Sequence, residues 1–83
     1  MFYVYVLQAL EKEDRFYLGY TSEMERRIAE HNSGKSRYTK GTKWRVVYYE
    51  AYVSDAAARK RERRLKHDGR VRQFLMKRIK EDL

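Results

Sequence analysis

Residues 2–34 read FYVYVLQALEKEDRFYLGYTSEMERRIAEHNSG, and the succession of signals in this stretch decides the fold. Phe2 to Leu7 is an apolar run of β-branched and aromatic residues, and Arg15 to Tyr20 is a second. The charged stretch Glu11-Lys12-Glu13-Asp14 joins them, which predicts a hairpin. Thr21-Ser22 then opens a helix, because Ser22 and Glu25 stand at capping-box spacing. Asn32-Ser33-Gly34 supplies the stop, so the helix covers roughly 23–32.

Beyond this unit, Ser33 to Lys43 is Gly, Ser, Lys, Arg and Thr with almost nothing to bury, which predicts a mobile basic loop. Trp44 to Val53 returns to strand composition. Ser54 caps a second helix running to about His67, Gly69 ends it, and a third helix from Arg70 places Val71, Phe74, Leu75 and Ile79 on one face. No proline, repeat or linker divides the 83 residues, and a chain this short supports one core, so residues 1–83 are read as a single domain. The expected fold class is α/β: a three-stranded antiparallel sheet flanked by helices, order β-β-α-β-α-α.

With no cysteine, disulfides and thiolate metal sites are excluded. No stretch approaches the ~20 apolar residues needed to span a bilayer, and the start lacks a charged leader, so a cytoplasmic chain with no membrane partner is expected. The net charge of +8 is concentrated: residues 59–80 hold eleven bases and two acids. A polyanion is the expected partner, with nucleic acid ahead of anionic lipid because the apolar face of the last helix is narrow for a membrane.

Two helical positions stand out. Met24, Ile28 and His31 fall on one stripe of the first helix with Arg27 on its edge. Taken alone, that arginine reads as snorkelling and pairing with Glu23 or Glu30. On the second helix Glu62 shares a stripe with Ala58 and Leu65, an odd place for a carboxylate whose role is only to balance Arg59, Arg61 or Lys66. Eight tyrosines complete the pattern; most suit packing with a wet hydroxyl, and some could stack bases or carry protons. Gly34-Lys35-Ser36 imitates the end of a P-loop but follows a helix, and His31 and His67 lie 36 residues apart without cysteine, so neither a phosphate loop nor a zinc site is indicated.

In order, these residues resemble the GIY-YIG nuclease family, closest to its small stand-alone members. Tyr3-Val4-Tyr5 corresponds to the first motif and Tyr17-Leu18-Gly19 to the second. Arg27 follows ten residues after Tyr17, within Glu25-Arg26-Arg27-Ile28-Ala29-Glu30-His31-Asn32, and Arg61-Glu62-Arg63-Arg64-Leu65-Lys66 is similar to the carboxylate helix. The resemblance implies a divalent-metal phosphodiesterase acting on nucleic acid, DNA ahead of RNA, with little sequence specificity and no obligate protein partner. It implies Glu62 as the single protein ligand of Mg2+ or Mn2+, Arg27 on the scissile phosphate, Tyr5 or Tyr17 on the attacking water, and His31 assisting by hydrogen bonding or proton relay. Lys35, Arg37, Lys40 and Lys43 of the loop, with Arg63, Arg64, Lys66, Arg70 and Arg72 of the helices, would hold the backbone.

Two departures accompany the resemblance. Tyr3 stands where the first motif has glycine, and Asn32 is the sole asparagine, so the late asparagine of several larger members is absent. The alternatives are a non-catalytic nucleic-acid-binding module on the same scaffold and an adaptor for an acidic protein; the latter leaves Arg27 and Glu62 without a reason.

Overall fold

The structure is a computed structural model covering residues 1–83. Its elements are β1 Phe2–Ala9, β2 Phe16–Thr21, α1 Met24–Asn32, β3 Trp44–Tyr52, α2 Asp55–His67 and α3 Gly69–Asp82, the expected β-β-α-β-α-α order. The sheet is antiparallel with strand order β2-β1-β3. Central β1 reads as a continuous apolar run because helices cover both of its faces. Val4 and Val6 pack with Ala58 and Leu65 of α2 and Leu75 and Ile79 of α3. Tyr5, Leu7 and Ala9 pack on the other face with Trp44, Tyr17 and, from α1, Met24 and Ile28.

A β-bulge makes this division possible. Tyr49 pairs with Tyr5 and Trp44 pairs with Ala9, so both belong on the α1 face, yet five residues separate them and strict alternation would put them on opposite faces. The register shift opposite Val6 and Leu7 absorbs one residue, and Val47 and Tyr48 consequently both pack on the α2–α3 core. Trp44 is thereby returned to the α1 side.

Several local expectations are corrected. The Ser22–Glu25 capping box does not form: Thr21, still paired in β2, accepts the Glu23 N–H at 3.0 Å, and α1 starts at Met24 without a side-chain cap. At its other end Gly34, at φ +82°, turns the chain so that Lys35 N–H reaches Glu30 C=O at 3.2 Å, the expected stop. Gly69 does not end α2. Asp68 does so and in the same position caps α3, accepting from Arg70 and Val71 N–H, while Arg72 donates to the Leu65 and Lys66 carbonyls. Phe74 is 73% exposed; Leu75 and Ile79, four apart, carry the buried face, with Val71 and Met76 at its margin.

The segment 33–43, expected to be mobile with almost nothing to bury, is also anchored. Thr39 and Ser36 are buried, and Trp44 Nε1 donates to Thr39 C=O at 3.0 Å. Asn32 acts as a substitute strand, its Oδ1 accepting from Trp44 N–H at 2.7 Å and its Nδ2 donating to Trp44 C=O at 3.1 Å.

Candidate active site

The α1 face of the sheet gathers Tyr5, Tyr17, Arg27 and His31. Tyr5 has no exposed surface, and its ring crosses β2 above Gly19, its cross-strand partner. A Cβ at Gly19 would lie 2.5 Å from Tyr5 Cζ, so a glycine is required by the ring above it. Tyr17, half-buried, stands edge-on to His31 with ring centroids 4.8 Å apart. Of the two partners open to Arg27, the structure selects Glu30, at 3.2 Å; Glu23 pairs with Arg26.

His31 is fully buried and bonded at both nitrogens, with Nε2 2.8 Å from Tyr5 Oη and Nδ1 2.7 Å from Thr39 Oγ1. The buried phenol has to donate its proton, and His31 Nε2 is the acceptor in reach. That fixes the tautomer: Nε2 accepts, and Nδ1–H donates to Thr39. Burial and the Arg27 charge lower the His31 pKa from its ordinary value, so the imidazole is neutral at pH 7. Burial pushes the Tyr5 phenol up to about 12, although Arg27 works in the opposite direction. Burial likewise works against the charged form of Arg27, but contact with Tyr5 and Glu30 outweighs it and its pKa rises. The result is a chain from a fixed cation through Tyr5 and His31 to Thr39. Ionisation of Tyr5 is thereby disfavoured, because desolvation exceeds the effect of one partly exposed guanidinium.

Glu62 approaches from α2. Its carboxylate is among the charges that raise the Tyr5 pKa, so it lies within electrostatic range of the cluster. Its side chain is 21% exposed and pairs with Lys66 at 3.2 Å, whereas Arg59 pairs with Asp55 and Arg61 with Glu50. No three His, Asp or Glu side chains are assembled into a metal cluster. One partly exposed carboxylate nonetheless fits the donor chemistry of Mg2+, which keeps most of its waters and takes one or two carboxylates beside phosphate oxygens.

A family model described as the GIY-YIG catalytic domain matches residues 1–78. The chain belongs to the GIY-YIG family. It is similar to a UPF0213 protein of Staphylococcus haemolyticus, 40% identical over 89% of this chain and 90% of the relative. A UPF0213 protein of Haloquadratum walsbyi is 38% identical over 77% of this chain and 72% of the relative. The solution NMR structure of a UPF0213 protein from Bacillus halodurans superposes with a TM-score of 0.54 at 34% identity, covering 92% of this chain and 84% of that one. No helix is long and apolar enough to cross a membrane.

All nine basic residues singled out in the sequence are exposed. Lys35, Arg37, Lys40, Arg63, Arg64 and Arg70 have free side chains, but Lys43 Nζ donates to Asn32 C=O at 2.5 Å, Lys66 pairs with Glu62, and Arg72 closes the end of α2. Thr39, which completes the buried chain, was missed: a threonine in a polar loop carries no periodicity and no motif. Glu50 was missed too. It receives both arms of Arg61 at 2.9 and 3.0 Å and the hydroxyls of Tyr48 and Tyr52 at 2.5 Å each, fastening α2 to β3.

Proposed function

We propose that this GIY-YIG chain is a metal-dependent endonuclease that hydrolyses phosphodiester bonds in nucleic acid, DNA ahead of RNA. The observation that carries the reading is Arg27: a guanidinium one-third exposed, braced by Glu30 and set beside the Tyr5 and Tyr17 hydroxyls, with the Glu62 carboxylate in range. A rigidly held guanidinium in contact with solvent suits the charge that develops on a phosphoryl group under attack. Bound at Glu62, Mg2+ or Mn2+ would supply Lewis-acid polarisation of the phosphate and would displace the half-exposed Lys66 ammonium, a partner of small energetic consequence.

Burial divides the tyrosines. Tyr5 and His31 have no exposed surface, so they position rather than meet the water: Tyr5 bears on Arg27 and Tyr17, and His31, held by Thr39, keeps the Tyr5 proton turned inward. Tyr17, half-buried at the surface of the cluster, orients the attacking water and, once its hydroxyl has given up its own proton to solvent, takes the water's proton as the phenolate. The Lys66–Glu62 pair is the one feature that favours a non-catalytic binding module, because it occupies the carboxylate that the metal requires.

Purified protein incubated with single-stranded, duplex and branched substrates, with and without Mg2+, separates the two. Metal-dependent cleavage is expected, lost in Arg27→Ala and Glu62→Gln while binding persists. Single-turnover rates should fall far more in Tyr17→Phe than in Tyr5→Phe. Binding without cleavage in any metal leaves the module reading, and full activity of Glu62→Gln removes the metal-ligand role.

A further inference from the structure

The row of tyrosines on the α1 face continues past the buried cluster into solvent. Tyr49 is the cross-strand neighbour of Tyr5 on β3, yet it is 60% exposed. Tyr3 lies on the same face of β1 and meets Tyr49 edge to face, with ring centroids 6.1 Å apart and planes at 67°. An edge-to-face pair leaves ring surface uncovered on both partners. The two rings, with Ser22 and Met24, line an open cleft of about 610 Å³ at the start of α1, one helical turn before Arg27.

The rim of this cleft has the wrong sign for a phosphate. Glu23, Glu25 and Arg26 surround it, and Arg26 is already paired with Glu23 at 2.8 Å, leaving a carboxylate excess in a chain of net charge +8. A neutral planar ring bearing amino groups meets no such repulsion: tyrosine faces stack on it, and carboxylate or hydroxyl oxygens accept from its N–H groups. We infer that the Tyr3–Tyr49 cleft takes an unpaired nucleobase of the strand whose phosphate meets Arg27. This rests on the nuclease reading and narrows its substrate to nucleic acid with at least one unstacked base beside the reacting phosphate, as in single-stranded or branched regions. A base inside a continuous duplex cannot enter the cleft without leaving its stack.

The test uses a 12-nucleotide single strand with 2-aminopurine at its centre, alone and annealed to its complement, titrated at fixed salt without metal. Wild type should quench the single-stranded probe. Tyr49→Ala, truncated at an exposed ring, should lose the quench and bind the single strand about tenfold more weakly. Its duplex affinity should stay unchanged, and Tyr49→Phe should behave as wild type. Equal weakening on strand and duplex, or an unaltered quench in Tyr49→Ala, overturns the assignment. So does a change in sedimenting mass with no effect on the strand, which would give the face to a second copy of the chain. Parallel cleavage assays keep the two readings apart. A protein that quenches through Tyr49 but cuts nothing retains the cleft without the nuclease, and one that cuts while ignoring Tyr49 retains the nuclease without the cleft.

Discussion

The Tyr5 ring occupies the space that a side chain on Gly19 would fill, across the β1–β2 pairing. Gly19 is in ordinary strand geometry, so its role is clearance and not a special backbone angle. Gly19→Ala should therefore cost about 1–3 kcal/mol through overpacking. In a Tyr5→Ala background, where the ring is gone, the same substitution should cost nearly nothing. Urea unfolding of the four proteins gives the coupling directly. A Gly19→Ala cost that persists without the ring would place the requirement in the strand backbone.

The Glu50–Arg61 bridge yields a second expectation, because the carboxylate is mostly buried and both of its oxygens are bonded to the guanidinium. Arg61→Ala leaves a charge with only two phenols and should destabilise by about 2–3 kcal/mol, less than a fully buried pair because Arg61 is partly exposed. Arg26→Ala, at an exposed pair, should cost about 0–1 kcal/mol. Burial raises the Glu50 pKa, but the bonds to Arg61, Tyr48 and Tyr52 outweigh it and leave the value depressed. Its contribution is thus present above the ordinary carboxylate range and lost as pH falls through the depressed value. Similar urea midpoints for the two variants would show that the bridge adds nothing beyond a surface pair.

This bridge also marks where the sequence stops being legible. The elements of β1, β2 and α1 could be read because Phe2–Leu7 is apolar on both faces and Gly34 stands at a helix end. Glu62 could be singled out because it breaks an apolar stripe, and Arg27, at the edge of one, because it follows Tyr17 by ten residues as in the family resemblance. Glu50 could not, since a single acid in a strand of alternating character looks like any solvent-facing residue until α2 is laid against it. Thr39 depends on the same kind of long-range closure, eight residues beyond the histidine it holds. Phe74 shows the converse: a helical stripe read at i+3 spacing admits a residue that the docking angle of α3 turns outward. The bulge at Val47 is invisible for a third reason, being a change of parity required by partners on another strand.

His31 supplies a pH dependence of opposite origin to that of Glu50. Its folded pKa is lowered by burial and by Arg27, so between the ordinary histidine value near 6.5 and the lower folded value the unfolded chain binds a proton that the native site refuses. With more protons on the unfolded state, stability rises with pH across this window. Urea midpoints should fall from pH 7 toward pH 5, before the carboxylates titrate. His31→Gln should flatten that slope whatever its effect on stability at pH 7. An unchanged slope in the variant would mean that His31 takes up its proton equally well in both states.

Arg72 drops out of the basic surface that the sequence suggested. Arg63, Arg64 and Arg70 have free side chains, whereas Arg72 is spent on the Leu65 and Lys66 carbonyls at the end of α2. If the helices contact the nucleic-acid backbone, replacing the three free arginines by glutamine should reduce the magnitude of the log K against log salt slope by about 0.9 per lost contact on duplex and about 0.7 on single strand. A loss of between 2 and 3 is then expected for the triple variant on duplex, with unfolding unaffected. Arg72→Gln should do the opposite: it removes donors from carbonyls that the end of α2 leaves unpaired, so it should lower the urea midpoint and leave the salt slope nearly as it was. The measurement is a set of binding isotherms at four salt concentrations beside one unfolding curve for each protein. A triple variant with the wild-type slope moves the binding surface to the loop, where Lys35, Arg37 and Lys40 are the free cations on the α1 side of the sheet. That outcome would also bring every phosphate contact to the face that carries Arg27 and Tyr49.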